Sequence, residues 1–222
     1  MSEYDFGNFS FNFNKKEKKC FEAKTRYIIP KETPENDESF IKYEKAVPLA
    51  IKTDLNKRMF VVVNGSFVFG DYIEALIVEK NIHIKKMIIS TLSLSENNID
   101  SLKNLIEGDF VDSLDLIVSD YFFWTEQENK GNSLVPYLYK KLDYKDKFQL
   151  SVSRSHTKVA MFETHCGKKI IIHGSANLRS SANLEQFAIE NNAELYDWLE
   201  KEVYAPIIKK YWTIKKEKKN GK

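Results

Sequence analysis

From Met59 onward the chain repeats one pattern, a short apolar run rich in β-branched residues followed by a longer segment whose apolar residues recur at helical spacing. "MFVVV" at 59–63 reads as a buried strand, and Gly70-Asp71 then opens a segment with Ile73, Leu76 and Ile77 on one helical face. "MIISTLS" at 87–93 is the next strand. Ser95 stands where it can cap a helix carrying Ile99, Leu102 and Ile106, and Gly108 ends it. "LDLIVS" at 114–119 and "FQLSVS" at 148–153 are a third and a fourth strand, with a helix over "SLVPYLYKKL" at 133–142 between them. A helix between two strands lets the second return in the direction of the first, so this alternation predicts an α/β fold, a mainly parallel central sheet flanked by helices. A last amphipathic helix carries Leu195, Trp198, Leu199 and Val203 on one face and stops before Pro206. Asn191, three residues ahead of Glu194, has capping-box spacing at its start.

The flanks differ in texture. Residues 1–57 are polar and include "PKETPENDESF", which predicts a partly flexible arm with one short helix at most. The regular pattern occupies 58–206, and 207–222 form a basic tail. The tail holds seven lysines against one glutamate, and Lys15, Lys16, Lys18 and Lys19 make the arm basic as well, so a net charge of +2 conceals two cationic ends suited to phosphate backbones. "FGNFSFNF" near the start could order on a protein partner. No run of 18 apolar residues suggests a membrane span, and no basic start followed by an apolar stretch suggests a secretory signal, so a cytoplasmic protein is expected. Cys20 and Cys166 are far apart and outside any metal-ligand spacing, which leaves free thiols and implies no metal or other cofactor.

The chemistry concentrates in "HTKVAMFETHCGKKIIIHGSANL", 156–178. "KVAMFE" and "KKIIIH" flank "THCGK", whose Gly167 suits a turn, so 158–173 reads as a β-hairpin. A turn centred near residues 165 and 166 sets His156 opposite Ser175 to within a residue or two. His156 and Lys158, two apart on a strand, project to one face. The hairpin thus gathers an imidazole, an ammonium, a hydroxyl and an amide, and the free backbone N–H groups expected beyond Asn177 favour an anion.

These residues resemble the phospholipase D-like superfamily, whose motif is HxKxxxxD followed by GSxN. His156, Lys158, Gly174, Ser175 and Asn177 match in order and type; Glu163 takes the place of the aspartate, and the spacer to Gly174 is longer than in compact members. "NLEQ", 183–186, is similar to the acidic motif that follows in relatives. The match covers 156–186. It implies a phospholipase D-like α/β domain with the motif on a hairpin, and a metal-independent phosphodiesterase in which His156 is the nucleophile. Lys158, Gly174, Ser175 and Asn177 would bind phosphate, and Glu185 would orient the histidine. Short proteins of this kind are frequent in bacteriophages and mobile elements, so nucleic acid is the expected substrate, in host cytoplasm or virion.

That mechanism uses two histidines, one attacking phosphorus and one protonating the leaving oxygen. "HIK" at 83–85 has the right spacing without the remainder of the motif, His173 adjoins Gly174, and His165 falls in the hairpin turn. A single motif implies a homodimer with the sites apposed across a twofold axis. An inactive phospholipase D-like protein that binds nucleic acid or serves as a phage structural component is the alternative, and a phospholipase is a third reading.

Overall fold

The computed structural model describes residues 41–43, 46–63, 67–124, 134–179 and 183–214. Eight strands form one sheet: β1 (Ile41–Tyr43), β2 (Met59–Val63), β3 (Ile84–Thr91), β4 (Leu114–Ser119), β5 (Phe148–Ser153), β6 (Val159–Thr164), β7 (Lys169–Gly174) and β8 (Glu185–Asn191), in the order β1-β2-β8-β7-β6-β3-β4-β5. Helices α1 (Ala46–Lys52), α2 (Phe69–Glu79), α3 (Glu96–Glu107) and α4 (Leu134–Leu142) contribute Leu49, Tyr72, Leu76, Leu102 and Leu138 to a large core on one face. On the other face Ile88, Ile117, Met161 and Ile171 lie under Tyr196 of α5 (Ala193–Leu199) and Tyr204. The strands between these layers are apolar on both sides, and β4 is buried at all six positions.

The mainly parallel sheet expected from the strand–helix alternation is corrected to a mixed one. β1-β2, β3-β4 and β4-β5 pair in parallel, whereas β2-β8, β8-β7, β7-β6 and β6-β3 are antiparallel. The crossover through α2 does return β3 in the direction of β2, but β6, β7 and β8, with no helix between them among the described residues, insert between them. Only β6 and β8 run against the other six strands. The carboxyl ends of β2, β3, β4 and β7 and the amino ends of β6 and β8 therefore share one edge of the sheet, where open α/β sheets bind ligands.

Several local expectations hold. Ser95 caps α3 in a capping box with Asn98, and Gly108 closes that helix. The closing helix starts one residue later than its spacing suggests, with Asn192 rather than Asn191 as the cap, its side chain accepting from Leu195 N at 3.0 Å. Nor does it stop before Pro206. A π-helical turn, Glu200–Tyr204, leads into α6 (Ala205–Tyr211), and Ala205 N bonds back five residues to Glu200 O. Widening the helix ahead of Pro206 accommodates a residue that has no N–H and would crowd the preceding turn.

The core also extends outside the 58–206 boundaries. In the stretch read as an arm, α1 buries Leu49 and Ala50 completely, and β1 pairs with β2. In the stretch read as a tail, Ile207 and Ile208 pack on the second cluster and Trp212 bridges antiparallel to Ser151, with Thr213 N donating to Leu150 O at 3.0 Å. The lysine-rich ends at 15–19 and 215–222, and "FGNFSFNF", lie outside the described residues.

Candidate active site

The hairpin forms in the predicted register to within one residue: Val159 opposes His173 and Glu163 opposes Lys169, around a turn in which Gly167 has φ +85°. At its open end Gly174 N donates to Lys158 O at 3.2 Å, joining the HxK and GSxN segments directly. The next strand adds the third segment, because Ser175 N donates to Gln186 O at 2.8 Å and Gln186 N donates to Ser175 Oγ at 3.0 Å. His156, Lys158, Ser175, Asn177 and Glu185 thus converge on the sheet edge where β6 and β8 begin and β7 ends.

Gly174 is required there by close approach rather than by turn geometry. A Cβ at this position would lie 2.1 Å from Gln186 O and 2.6 Å from Phe187 Cα. Beyond it, buried Ala176 and Leu178 pin the segment to the core, with Gly70 N donating to Leu178 O at 2.8 Å and Leu178 N to Thr91 Oγ1 at 3.3 Å. Asn177 is held between these anchors. Its Oδ1 is buried without a hydrogen-bond partner among the described residues, a polar atom whose desolvation is uncompensated until a donor is supplied.

The His156 ring is exposed and makes no side-chain hydrogen bond among the described residues, so its nitrogens are open to a substrate. Lys158 Nζ donates to His156 O at 3.1 Å, which uses one of its three N–H groups and leaves the charge available. Glu185 accepts a hydrogen bond from the Ser175 hydroxyl, so in this structure the carboxylate orients the serine rather than the histidine expected from the motif. Glu163, at the motif's aspartate position, stands at the far end of β6 facing Lys85 at 4.0 Å and takes no part in the site.

Two contributors are absent from the sequence reading. Arg179, directly after "GSANL", lines a small crevice with Asn177 and Glu185; a cation adjoining a phosphate motif was the available signal. Thr157, between His156 and Lys158, meets Ser90 Oγ at 2.7 Å and Ser155 Oγ at 2.9 Å, and Tyr204, its phenol pushed up by burial, also bonds to it. This net locks the backbone that carries the two motif side chains. Thr157→Val is expected to cost about 1 kcal/mol, the worth of a net hydrogen bond, with faster amide exchange over 155–158 while exchange in β4 is unchanged.

All four histidines are described, and the other three are elsewhere. His83 stacks on Phe110 at 5.4 Å, and His165 bonds Asp112 at 2.8 Å, both at the opposite edge of the sheet. His173 follows Ile171 to the second face, where Nε2 lies 3.2 Å from Glu190 Oε1 and holds that buried carboxyl below its ordinary range. No group of three or more His, Cys, Asp or Glu among the described residues could hold a metal ion.

No protein-family model matches the sequence, and no curated protein matches it. Solved structures similar to this chain include these three. The Nuc protein of Salmonella typhimurium is 16% identical, with a TM-score of 0.38 over 54% of this chain and 76% of that one. A phospholipase D family member is thus among the proteins this chain resembles. The polyphosphate kinase of Porphyromonas gingivalis is 15% identical, with a TM-score of 0.49 over 66% of this chain and 25% of that one. The phosphatidylserine synthase of Haemophilus influenzae is 16% identical, with a TM-score of 0.46 over 72% and 40%. The match therefore spans about a quarter of the kinase and two fifths of the synthase. No helix among the described residues is long and apolar enough to cross a membrane.

Proposed function

We propose that this protein is a phospholipase D-like phosphodiesterase that cleaves nucleic acid without a metal, working as a homodimer. The observation that carries the reading is the Gly174 N to Lys158 O bond, which brings the two halves of the motif to one sheet edge. There an open imidazole, an ammonium, a fixed hydroxyl and an amide would receive a phosphodiester. His156 attacks phosphorus and the P–O bond to the leaving group breaks, while Lys158, Ser175 and Asn177 neutralise and hold the nonbridging oxygens. The leaving oxygen needs a proton, and this edge of one chain holds no second histidine. His156 of the partner copy supplies the proton and then takes one from the water that hydrolyses the phosphohistidine. The lysine-rich ends would add sequence-independent affinity for the backbone.

The test is incubation of the purified protein with plasmid and single-stranded DNA in excess EDTA. Cleavage is expected to persist, with specific activity that rises with protein concentration as dimers form. Salt-dependent binding without cleavage at every concentration would replace the enzyme with a nucleic-acid-binding protein that keeps only the phosphate site.

A further inference from the structure

A cavity of about 620 Å³ opens at the sheet edge opposite the motif, between the end of α1, the end of α2 and the β6–β7 turn. The six residues of β6 separate it from His156, about 20 Å at 3.3 Å per residue. Its lining carries three lysines, Lys52, Lys80 and Lys168, against one acid, Asp54. Two of the ammonium groups are held in place across element boundaries. Lys80 Nζ reaches from the end of α2 to Ile51 O at 2.8 Å, and Lys168 Nζ reaches from the hairpin turn to Asn56 Oδ1 at 3.1 Å.

Both acceptors are neutral oxygens, so these bonds fix the positions of the charges without cancelling them. Each ammonium keeps two further N–H donors. The Lys80 bond also occupies a carbonyl at the end of α1, whose partial negative charge would otherwise oppose an anion. His165, at the rim, is engaged by Asp112 and is not needed for the positive balance. Apolar side chains in the wall are Leu55, Ile82, Ile170 and Ile51, the last 56% exposed, and they alternate with the neutral polar residues Thr53, Asn56, Asn81 and Thr164. Small-molecule sites of about 300–1,000 Å³ combine such walls with a few convergent polar groups.

We propose that this cavity is a second ligand site, separate from the phosphodiesterase centre, that takes a small organic phosphate of nucleoside monophosphate type. Lys80 and Lys168 grip the phosphate, and the base or sugar lies against Ile51, Leu55 and Ile82. A macromolecular phosphate backbone is the poorer occupant, because it would use the ammonium groups and leave the apolar side chains of the lining unmatched, whereas a nucleoside monophosphate meets both.

Cys166, exposed in the lining and held below its ordinary range by the Thr164 hydroxyl, is a built-in reporter. With Cys20 replaced by serine, its iodoacetamide alkylation is to be timed against AMP, pyrophosphate and adenosine. The expected result is saturable protection by AMP of fivefold or more, weaker protection by pyrophosphate and none by adenosine. Lys80→Gln with Lys168→Gln should abolish the AMP protection, and His156→Ala should leave it intact. Equal protection by adenosine, protection that survives the double lysine change, or protection lost with His156 would each overturn the assignment, as would none from AMP. Calorimetric titration of the unaltered chain with AMP, with and without the two lysine changes, gives the same decision should the Cys20 variant fail to fold.

Discussion

Alanine at Gly174 is expected to destabilise the protein by about 3–5 kcal/mol, in the range reserved for strain that the structure cannot relieve. The added methyl would meet Gln186 O at 2.1 Å and Phe187 Cα at 2.6 Å, both backbone atoms of a central strand, so no rotamer change can make room. Relief requires parting β7 from β8, which breaks the Ser175 N to Gln186 O bond that joins the GSxN segment to the next strand. Urea unfolding followed by fluorescence measures the loss. Gly167 provides the internal contrast. At φ +85° with nothing within 4 Å of a built Cβ, its alanine variant bears only the left-handed backbone penalty, about 1–2 kcal/mol. A Gly174→Ala protein no less stable than Gly167→Ala would mean that the strands are not as closely spaced as described.

His156→Ala is expected to lower phosphodiester cleavage in EDTA by about 10⁴-fold or more, the scale on which removal of a nucleophile acts, while unfolding shifts by no more than about 0.5 kcal/mol. The two effects separate because the ring is exposed and makes no side-chain hydrogen bond among the described residues. Removal of the group therefore breaks nothing structural. Rates on a chromogenic diester and a urea melt of the same sample check both halves. A variant that retained a tenth of the activity would assign the nucleophile to another residue.

How much of this was legible in the sequence depends on the range of each interaction. Ser95 and Gly108 were readable because caps are set by residues within one turn. The hairpin was readable because its turn residue and two flanking runs lie within about twenty positions, and symmetric pairing then carried His156 toward Ser175. The sheet order was not readable. Nothing local to β2 or β3 reports that three strands from later in the chain will separate them, and apolar runs buried on both faces look alike in parallel and antiparallel surroundings. For the same reason Glu185 could be placed at the site but not given its partner: contact with Ser175 depends on the β7–β8 register. Thr157 gave no signal at all, since its contacts with Ser90 and Tyr204 cross the fold.

The short stretch after α6 has a bearing on how one border of the sheet is covered. β5 is the outermost strand on its side of the sheet, and such a strand offers unpaired backbone groups to any other extended chain. Trp212 and Thr213 lie against it at Ser151 and Leu150 and take up part of that capacity. Removal of everything after Tyr211 would strip this guard and leave a template for strand addition. The two residues thus shield part of this border of the sheet from the addition of a foreign strand.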